Sequence, residues 1–338
     1  MAASINKMCV IGAGAWGTAL AKHLAEKGIE TRLWAYERDV VHAINASHEN
    51  SIFLKGVALP HNVIATASLE EATRSCEGIV FAVPSHATRS VLRDLRPFLS
   101  DPMPLICATK GIEEETAKLM TQVMEDELPP SMHRALMVLS GPSFAAELSA
   151  GQPTAVCLAG QDTLLVRRFQ GALMTRVFRV YADSDLLGVQ LGGALKNVMA
   201  LAAGVIDGLE LGLNARAALI TRGLAEIIRL GVAMGADPRT FYGLSGVGDL
   251  VLTCTGTLSR NHSVGVRLGK GERLETIVNG MQAVAEGVRT ARAALTLALR
   301  HQVEMPIIQE INAVLYENKS CPKAVSDLME RDAKLEKG

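Results

Sequence analysis

The chain has 338 residues, which at roughly 150 residues per domain anticipates about two domains. At this size a chain withdraws about three quarters of its unfolded surface from water, so its 49% hydrophobic content suffices without disulfide or metal staples. With 34 Lys plus Arg against 35 Asp plus Glu, the formal net charge of -1 excludes the long-range field that draws proteins to nucleic acid or anionic membrane, so an anionic ligand needs a local site.

The first predicted strand, 8–11, runs into Gly12-Ala13-Gly14-Ala15-Trp16-Gly17 and then a helix over 15–27. The run from Met8 to Ala21 behind Lys7 imitates a signal peptide, but glycines at this spacing suit a phosphate-binding turn, and the charged Lys22, Glu26 and Lys27 follow directly. In a G-x-G-x-x-G turn between strand and helix, the first glycine permits the tight turn and the second lets a pyrophosphate approach the backbone. The third lets helix and sheet pack closely. The second strand, 31–35, ends at Tyr36-Glu37-Arg38, where an acid would bind a ribose 2′-hydroxyl and a base a 2′-phosphate. Glu37 points to NAD and Arg38 to NADP, so the choice stays open.

Further buried strands are predicted at 78–83, 104–108 and 135–139, with shorter ones at 154–158 and 177–181, and crossover helices at 87–95 and 113–127. This βαβ alternation predicts an α/β, Rossmann-like doubly wound parallel sheet over residues 1–185. Ligands of such sheets sit outside the carboxyl ends of the strands, where Ser85, Lys110 and the turn Ser140-Gly141-Pro142-Ser143 fall. From 186 to 338 the texture changes to Ala/Leu/Gly-rich helical stretches at 186–209, 215–234 and 283–299, so an all-α C-terminal domain is expected. Breaks are read at 235–238, 243–248 and 269–271. The longest apolar stretch, 198–206, falls short of the roughly 20 residues a bilayer requires, so no membrane insertion is expected.

Seven ordered motifs carry a resemblance that spans nearly the whole chain: the glycine turn at 12–17, Ala108-Thr109-Lys110-Gly111, and the segments 140–148, 188–197, 214–223, 248–255 and Ser259-Arg260-Asn261. Together they resemble the NAD(P)-dependent glycerol-3-phosphate dehydrogenases of bacterial type. The resemblance implies an oxidoreductase that interconverts dihydroxyacetone phosphate and sn-glycerol 3-phosphate with NAD or NADP as cofactor. It further implies a cytoplasmic homodimer that supplies phospholipid synthesis. Lys196 is then the proton donor or acceptor, and Lys110 contacts both cofactor and substrate. Asp249, Ser259, Arg260 and Asn261 hold the substrate, a set that Gly141, Ser143 and Thr253 join. Cofactor contacts fall at Gly12, Gly14, Ala15, Trp16, Gly17, Tyr36, Arg38, Ala145, Arg260, Val284 and Glu286. Many relatives carry His or Arg at the position of Tyr36 and Ser at that of Ala15. The first departure weakens a carried-over NADP preference; a backbone contact survives the second.

The chemistry of a ketone reduction explains why such residues are wanted. A cofactor supplies the hydride, but the oxygen that becomes an alkoxide must receive a proton. Lys196 lies on a helix of small and apolar residues, where desolvation lowers an ammonium pKa. Asn197 is expected to polarise the carbonyl and Asp249 to favour the charged lysine. Arg260 offers a planar fork to a phosphate. The cysteines at 9, 76, 107, 157, 254 and 321 lie far apart along the chain and read as reduced thiols, and no metal is expected. Two other readings are a related β-hydroxyacid dehydrogenase and a non-catalytic module that senses NAD(P)(H).

Overall fold

Short, fully buried apolar runs alternate with one-sided helices, and the sheet they form is the scaffold of the first half. A computed structural model describes residues 5–100, 102–281, 285–333 and 335–336. Its strands are β1 (Lys7–Ile11), β2 (Glu30–Trp34), β3 (Val63–Thr66), β4 (Ile79–Phe81), β5 (Leu105–Cys107), β6 (Leu136–Ser140), β7 (Thr154–Gly160) and β8 (Phe178–Asp183). They hydrogen-bond in the order β3-β2-β1-β4-β5-β6-β7-β8. Strand order reverses at β1, so the crevice between the ends of β1 and β4 is the switch point where such sheets bind ligands.

Three expectations need correction. The sheet is not wholly parallel: β7 pairs antiparallel with β6, and β8 runs parallel to β7. β3 was not anticipated, because this four-residue edge strand leaves Ile64 38% exposed and offers no long apolar run. The helix expected over 113–127 begins only at Met120 and ends at Glu127, and 113–119 is a loop in which Ala117 has φ +56°.

Among the described residues, everything after β8 that is regular is helical. The central helix, Leu186–Gly208, is long and apolar enough to cross a membrane by length and composition, but that apolar window is wholly buried in this fold. Its neighbours reach it across glycines. A Cβ at Gly204 would stand 2.1 Å from the His262 carbonyl oxygen, and one at Gly265 would stand 2.1 Å from that of Leu201. With Gly208 and Gly269 repeating the contact four residues on, the Arg260–Gly269 helix lies backbone to backbone along the central one. The same device acts earlier: Cβ atoms at Gly192 and Gly193 would meet Ser245 O at 2.4 Å and Ser140 Oγ at 2.6 Å. Lys196 follows one turn later, at the seam between sheet and helices.

Candidate active site

One wall of the site is made by strand ends. β1 leads into Gly12, whose φ of +110° is left-handed and whose absent Cβ would lie 2.7 Å from the Ala82 carbonyl oxygen. A Cβ at Gly17 would overlap the Gly12 carbonyl oxygen. Packing thus demands glycine at both positions. Gly14 differs, since nothing lies within 4 Å of a Cβ built there. That open space is what a pyrophosphate approaching the backbone requires. Gly14 is also the N-cap of the Ala15–Glu26 helix, no side chain caps it, and the first-turn N–H groups face the same space. These features fit a dinucleotide. Asn50, which sequence reasoning missed, holds the turn from behind: its amide donates to Ala13 O and to Thr18 Oγ1, both at 2.8 Å.

The other proposed cofactor residues are spread along the same edge. Ala15 and Trp16 are half-buried in the first turn of the helix, and Ala145 opens the Ala145–Ser149 helix. Tyr36 is 80% exposed beyond β2, and Arg38, also exposed, lines an outer groove of about 730 Å3 with His42, Asn45 and Glu71. Glu286 reaches from the helical half to Ser85 after β4, accepting from its N–H at 3.0 Å and from its hydroxyl. Val284 lies outside the described residues.

The centre of the site is a carboxylate shared by two lysines. Asp249, fully buried in the first turn of the Asp249–Thr255 helix, accepts from Lys110 Nζ at 2.7 Å through Oδ2 and from Lys196 Nζ through Oδ1. Lys196 also donates to Thr253 Oγ1 at 2.9 Å, and Thr253 in turn donates to Asp249 O at 2.6 Å. Lys110 comes from the loop after β5 and donates further to Gly141 O at 2.9 Å, with Ser143 Oγ at 3.5 Å. Gly141 has φ +143°, and a Cβ there would lie 2.9 Å from Val156 Cα, so the turn after β6 can present its carbonyl to Lys110 only with glycine. Burial lowers the Lys196 pKa to about 8, with the Asp249 charge pulling the other way and the Lys110 charge adding to the drop.

Asn197 does not stand free beside Lys196. Its amide N–H donates to Lys110 O at 3.1 Å, and its oxygen accepts from Asn261 at 3.0 Å. Asn261 in turn accepts from Gly287 N–H at 2.9 Å. This chain of amides ties the Lys110 loop, the central helix and two further helices together. It was illegible in the sequence, which separates its members widely. Ser259 is buried and caps the Arg260–Gly269 helix, accepting from His262 N–H at 3.2 Å. Arg260, the first residue of that helix, remains exposed, although enough protein crowds its head to lower its pKa against the pull of Glu286. A guanidinium carried on the first turn of a helix suits an anion.

The two halves of the chain match two family descriptions in order: residues 7–165 the NAD-dependent glycerol-3-phosphate dehydrogenase N-terminus, and residues 185–326 the corresponding C-terminus. The chain belongs to the NAD-dependent glycerol-3-phosphate dehydrogenase family. Among the family's proteins named glycerol-3-phosphate dehydrogenase (NAD(P)+), that of Citrifermentans bemidjiense is 51% identical over 98% of this chain and 99% of its own. That of Myxococcus xanthus is 52% identical over 97% and 98%. The crystal structure of the Coxiella burnetii glycerol-3-phosphate dehydrogenase superposes with a TM-score of 0.92 at 37% identity, covering 97% of this chain and 99% of that one. A ketopantoate reductase from Ralstonia eutropha shares only the fold, with a TM-score of 0.60 at 15% identity.

Proposed function

We propose that the protein interconverts dihydroxyacetone phosphate and sn-glycerol 3-phosphate with NAD(P)H as the redox partner. The observation that carries this reading is the pair Lys110 and Lys196 on one buried Asp249, where the sheet's ligand-binding edge meets the helical half. The nicotinamide, when bound, supplies the hydride; the remaining roles belong to the chain. Gly12, Gly14, Gly17 and the backbone of Ala15 and Trp16 would hold the pyrophosphate, and Ala145 and Glu286 would line the path to the nicotinamide. Two of the three N–H groups of the Lys196 ammonium go to Asp249 and Thr253, leaving one for a substrate oxygen. Lys196 thereby donates a proton to the oxygen of the ketone in one direction and withdraws it from the alcohol in the other. Lys110, held by Gly141, Ser143 and Asp249, orients that oxygen and adds positive charge where negative charge develops. Arg260, with Ser259 and Asn261, anchors the phosphate.

Several further assignments belong to the same proposal. The boundary between halves falls near residue 185, and the enzyme works in the cytoplasm, supplying glycerol 3-phosphate to phospholipid synthesis. It does so as a homodimer, a reading supported by Leu213 and Leu299 of the helical half, which are 70% and 67% exposed. Tyr36, Glu37 and Arg38 leave the choice of dinucleotide to experiment.

The test is the rate of nicotinamide absorbance loss with dihydroxyacetone phosphate, using NADH and NADPH in parallel. Oxidation that requires the phosphate, and that Arg260→Ala weakens through KM, is the expected result. Cofactor binding without turnover would instead favour a sensor of NAD(P)(H), and turnover of unphosphorylated dihydroxyacetone at the same rate would remove the phosphate anchor.

A further inference from the structure

Of the seven sequence motifs, the segment 214–223 contributes no residue to the site described above, yet its Arg216 belongs to a polar cluster one residue pair away from Arg260. The cluster centres on Asp207, in the last turn of the central helix. Asp207 Oδ2 accepts from Arg216 Nη1 of the Gly212–Ala233 helix at 2.8 Å and from the His262 ring at 2.8 Å. An ionised carboxylate only accepts, so His262 carries a hydrogen on Nε2. The side chains of His262, Asp207 and Arg216 are 14%, 23% and 25% exposed, more sheltered than an ordinary surface ion pair. His262 lies in the first turn of the Arg260–Gly269 helix, where successive residues have separate tasks. Arg260 stays exposed, Asn261 binds Asn197, and His262 binds Asp207. Asn197 and Asp207 both lie on the helix that carries Lys196, so the helix of the proton donor holds this turn at two points. Elsewhere the two helices meet through Gly204, Gly208, Gly265 and Gly269, which interpose no side chain to lock their register. The polar pairs supply that lock.

We infer that Asp207 and His262, with Arg216 steadying the shared carboxylate, are positioning residues that aim Arg260 at the phosphate of the substrate. The inference rests on the reading of Arg260 as the phosphate anchor. A guanidinium grips a phosphate best when its planar fork meets two oxygens at once, so a small rotation of the turn that carries it loses one of the two contacts. Without the Asp207 acceptor, His262 is released and that turn keeps only the Ser259 cap and the Asn261–Asn197 pair. Lys196 is held separately, by Asp249 and Thr253, and is left in place. The damage therefore falls on capture of the phosphate and spares proton transfer. A substrate without a phosphate does not sense it.

The test compares initial rates of the full chain with dihydroxyacetone phosphate and with unphosphorylated dihydroxyacetone, at saturating reduced cofactor. His262→Ala and Asp207→Ala should raise KM for the phosphorylated ketone by about 10-fold to 100-fold, the scale of a small misplacement, with kcat within a few-fold of wild type. The kcat/KM for dihydroxyacetone and the Kd for NADH should not move. His262→Gln, whose amide N–H replaces the Nε2 donor, should recover most of the loss. In an Arg260→Ala background, His262→Ala should add nothing further, because the residue it aims is gone. An unchanged KM in His262→Ala, an equal loss with both ketones, or the full effect persisting without Arg260 would overturn the inference while leaving the phosphate anchor intact. A wild type that uses both ketones equally would overturn the anchor itself, and the inference with it. Should Asp207→Ala fail to fold in a melting curve, the His262 variants decide on the same criteria.

Discussion

Burial and charge pull Lys196 in opposite directions, and burial wins, setting its pKa near the pH at which an enzyme works, at about 8. Ketone reduction needs the charged lysine, so kcat/KM for dihydroxyacetone phosphate should fall as pH rises through about 8. Alcohol oxidation needs the neutral lysine, and its rate should rise over the same interval. Asp249→Asn removes the charge that opposes the drop, so both limbs should move to lower pH; initial rates in each direction between acid and alkaline buffers report this. Lys196→Ala should cut turnover by about 10² to 10⁴, the range for losing a general acid, with the Kd for NADH unchanged. Turnover within a few-fold of wild type would take Lys196 out of the mechanism. Lys110, Lys196, Asp249 and Arg260 could be singled out as candidates from the sequence because each stands in a short motif. That one carboxylate serves both lysines was not legible, because this depends on the approach of Ser140 and Ser245 to Gly193 and Gly192 in three dimensions.

Helix ends show how local patterns are satisfied or overruled. The Pro306–Tyr316 helix begins without a side-chain cap of its own, and Glu226, buried on the Gly212–Ala233 helix, caps it from a distance. Its carboxyl oxygens accept from Ile307 N–H at 2.8 Å and Ile308 N–H at 3.4 Å. Burial raises the Glu226 pKa to about 7, against those backbone donors, while the unfolded group titrates near the ordinary value of about 4.3. The native state therefore binds the extra proton between these values, and stability should decline as pH rises from about 4.3 through about 7. Glu226→Gln keeps an acceptor and removes the charge, so it should flatten that decline, whereas Glu226→Ala should cost about 1–3 kcal/mol at every pH by leaving buried N–H groups unpaired. Urea midpoints at pH 5 and pH 8 distinguish the two. The central strands β1, β4, β5 and β6 were legible for a simple reason: strands buried on both faces are unbroken apolar runs. The 113–119 segment misled because its composition suits a helix, yet Ala117 adopts a left-handed φ and Glu113 is drawn to Arg89. Tertiary ion pairs overrode local preference there.

At the scale of the whole molecule, that same loop straps the two halves together directly after Lys110. On the sheet side Arg89 binds Glu113 through two N–H groups at 2.8 Å and also reaches Asp126 at 3.0 Å and Glu127 at 2.6 Å. On the helical side Glu114 accepts from Arg292 at 2.8 Å, and Arg300 donates to Thr116 O at 2.8 Å. The two attachments differ in burial, and burial decides their worth. The Glu113 side chain is 7% exposed and that of Arg89 21%, whereas Arg292 is 53% exposed. Breaking an exposed pair costs under about 1 kcal/mol, so Glu114→Gln should barely move the denaturation midpoint. Removing the partner of a nearly buried carboxylate costs more, on the order of 2–3 kcal/mol for Arg89→Ala. Arg89 holds the Glu113 carboxyl below the usual carboxylate range, so this contribution is present above the unfolded pKa of about 4.3 and is lost as pH falls through the lower native value. The gap between wild type and Arg89→Ala should therefore be full at pH 7 and close on acidification. Because the strap continues from the loop that aims Lys110 at Asp249, Arg89→Ala should also raise KM for the phosphorylated ketone more than it lowers kcat. A gap that stays constant down to pH 3, or an unchanged KM, would mean that the strap neither stores this charge energy nor positions Lys110.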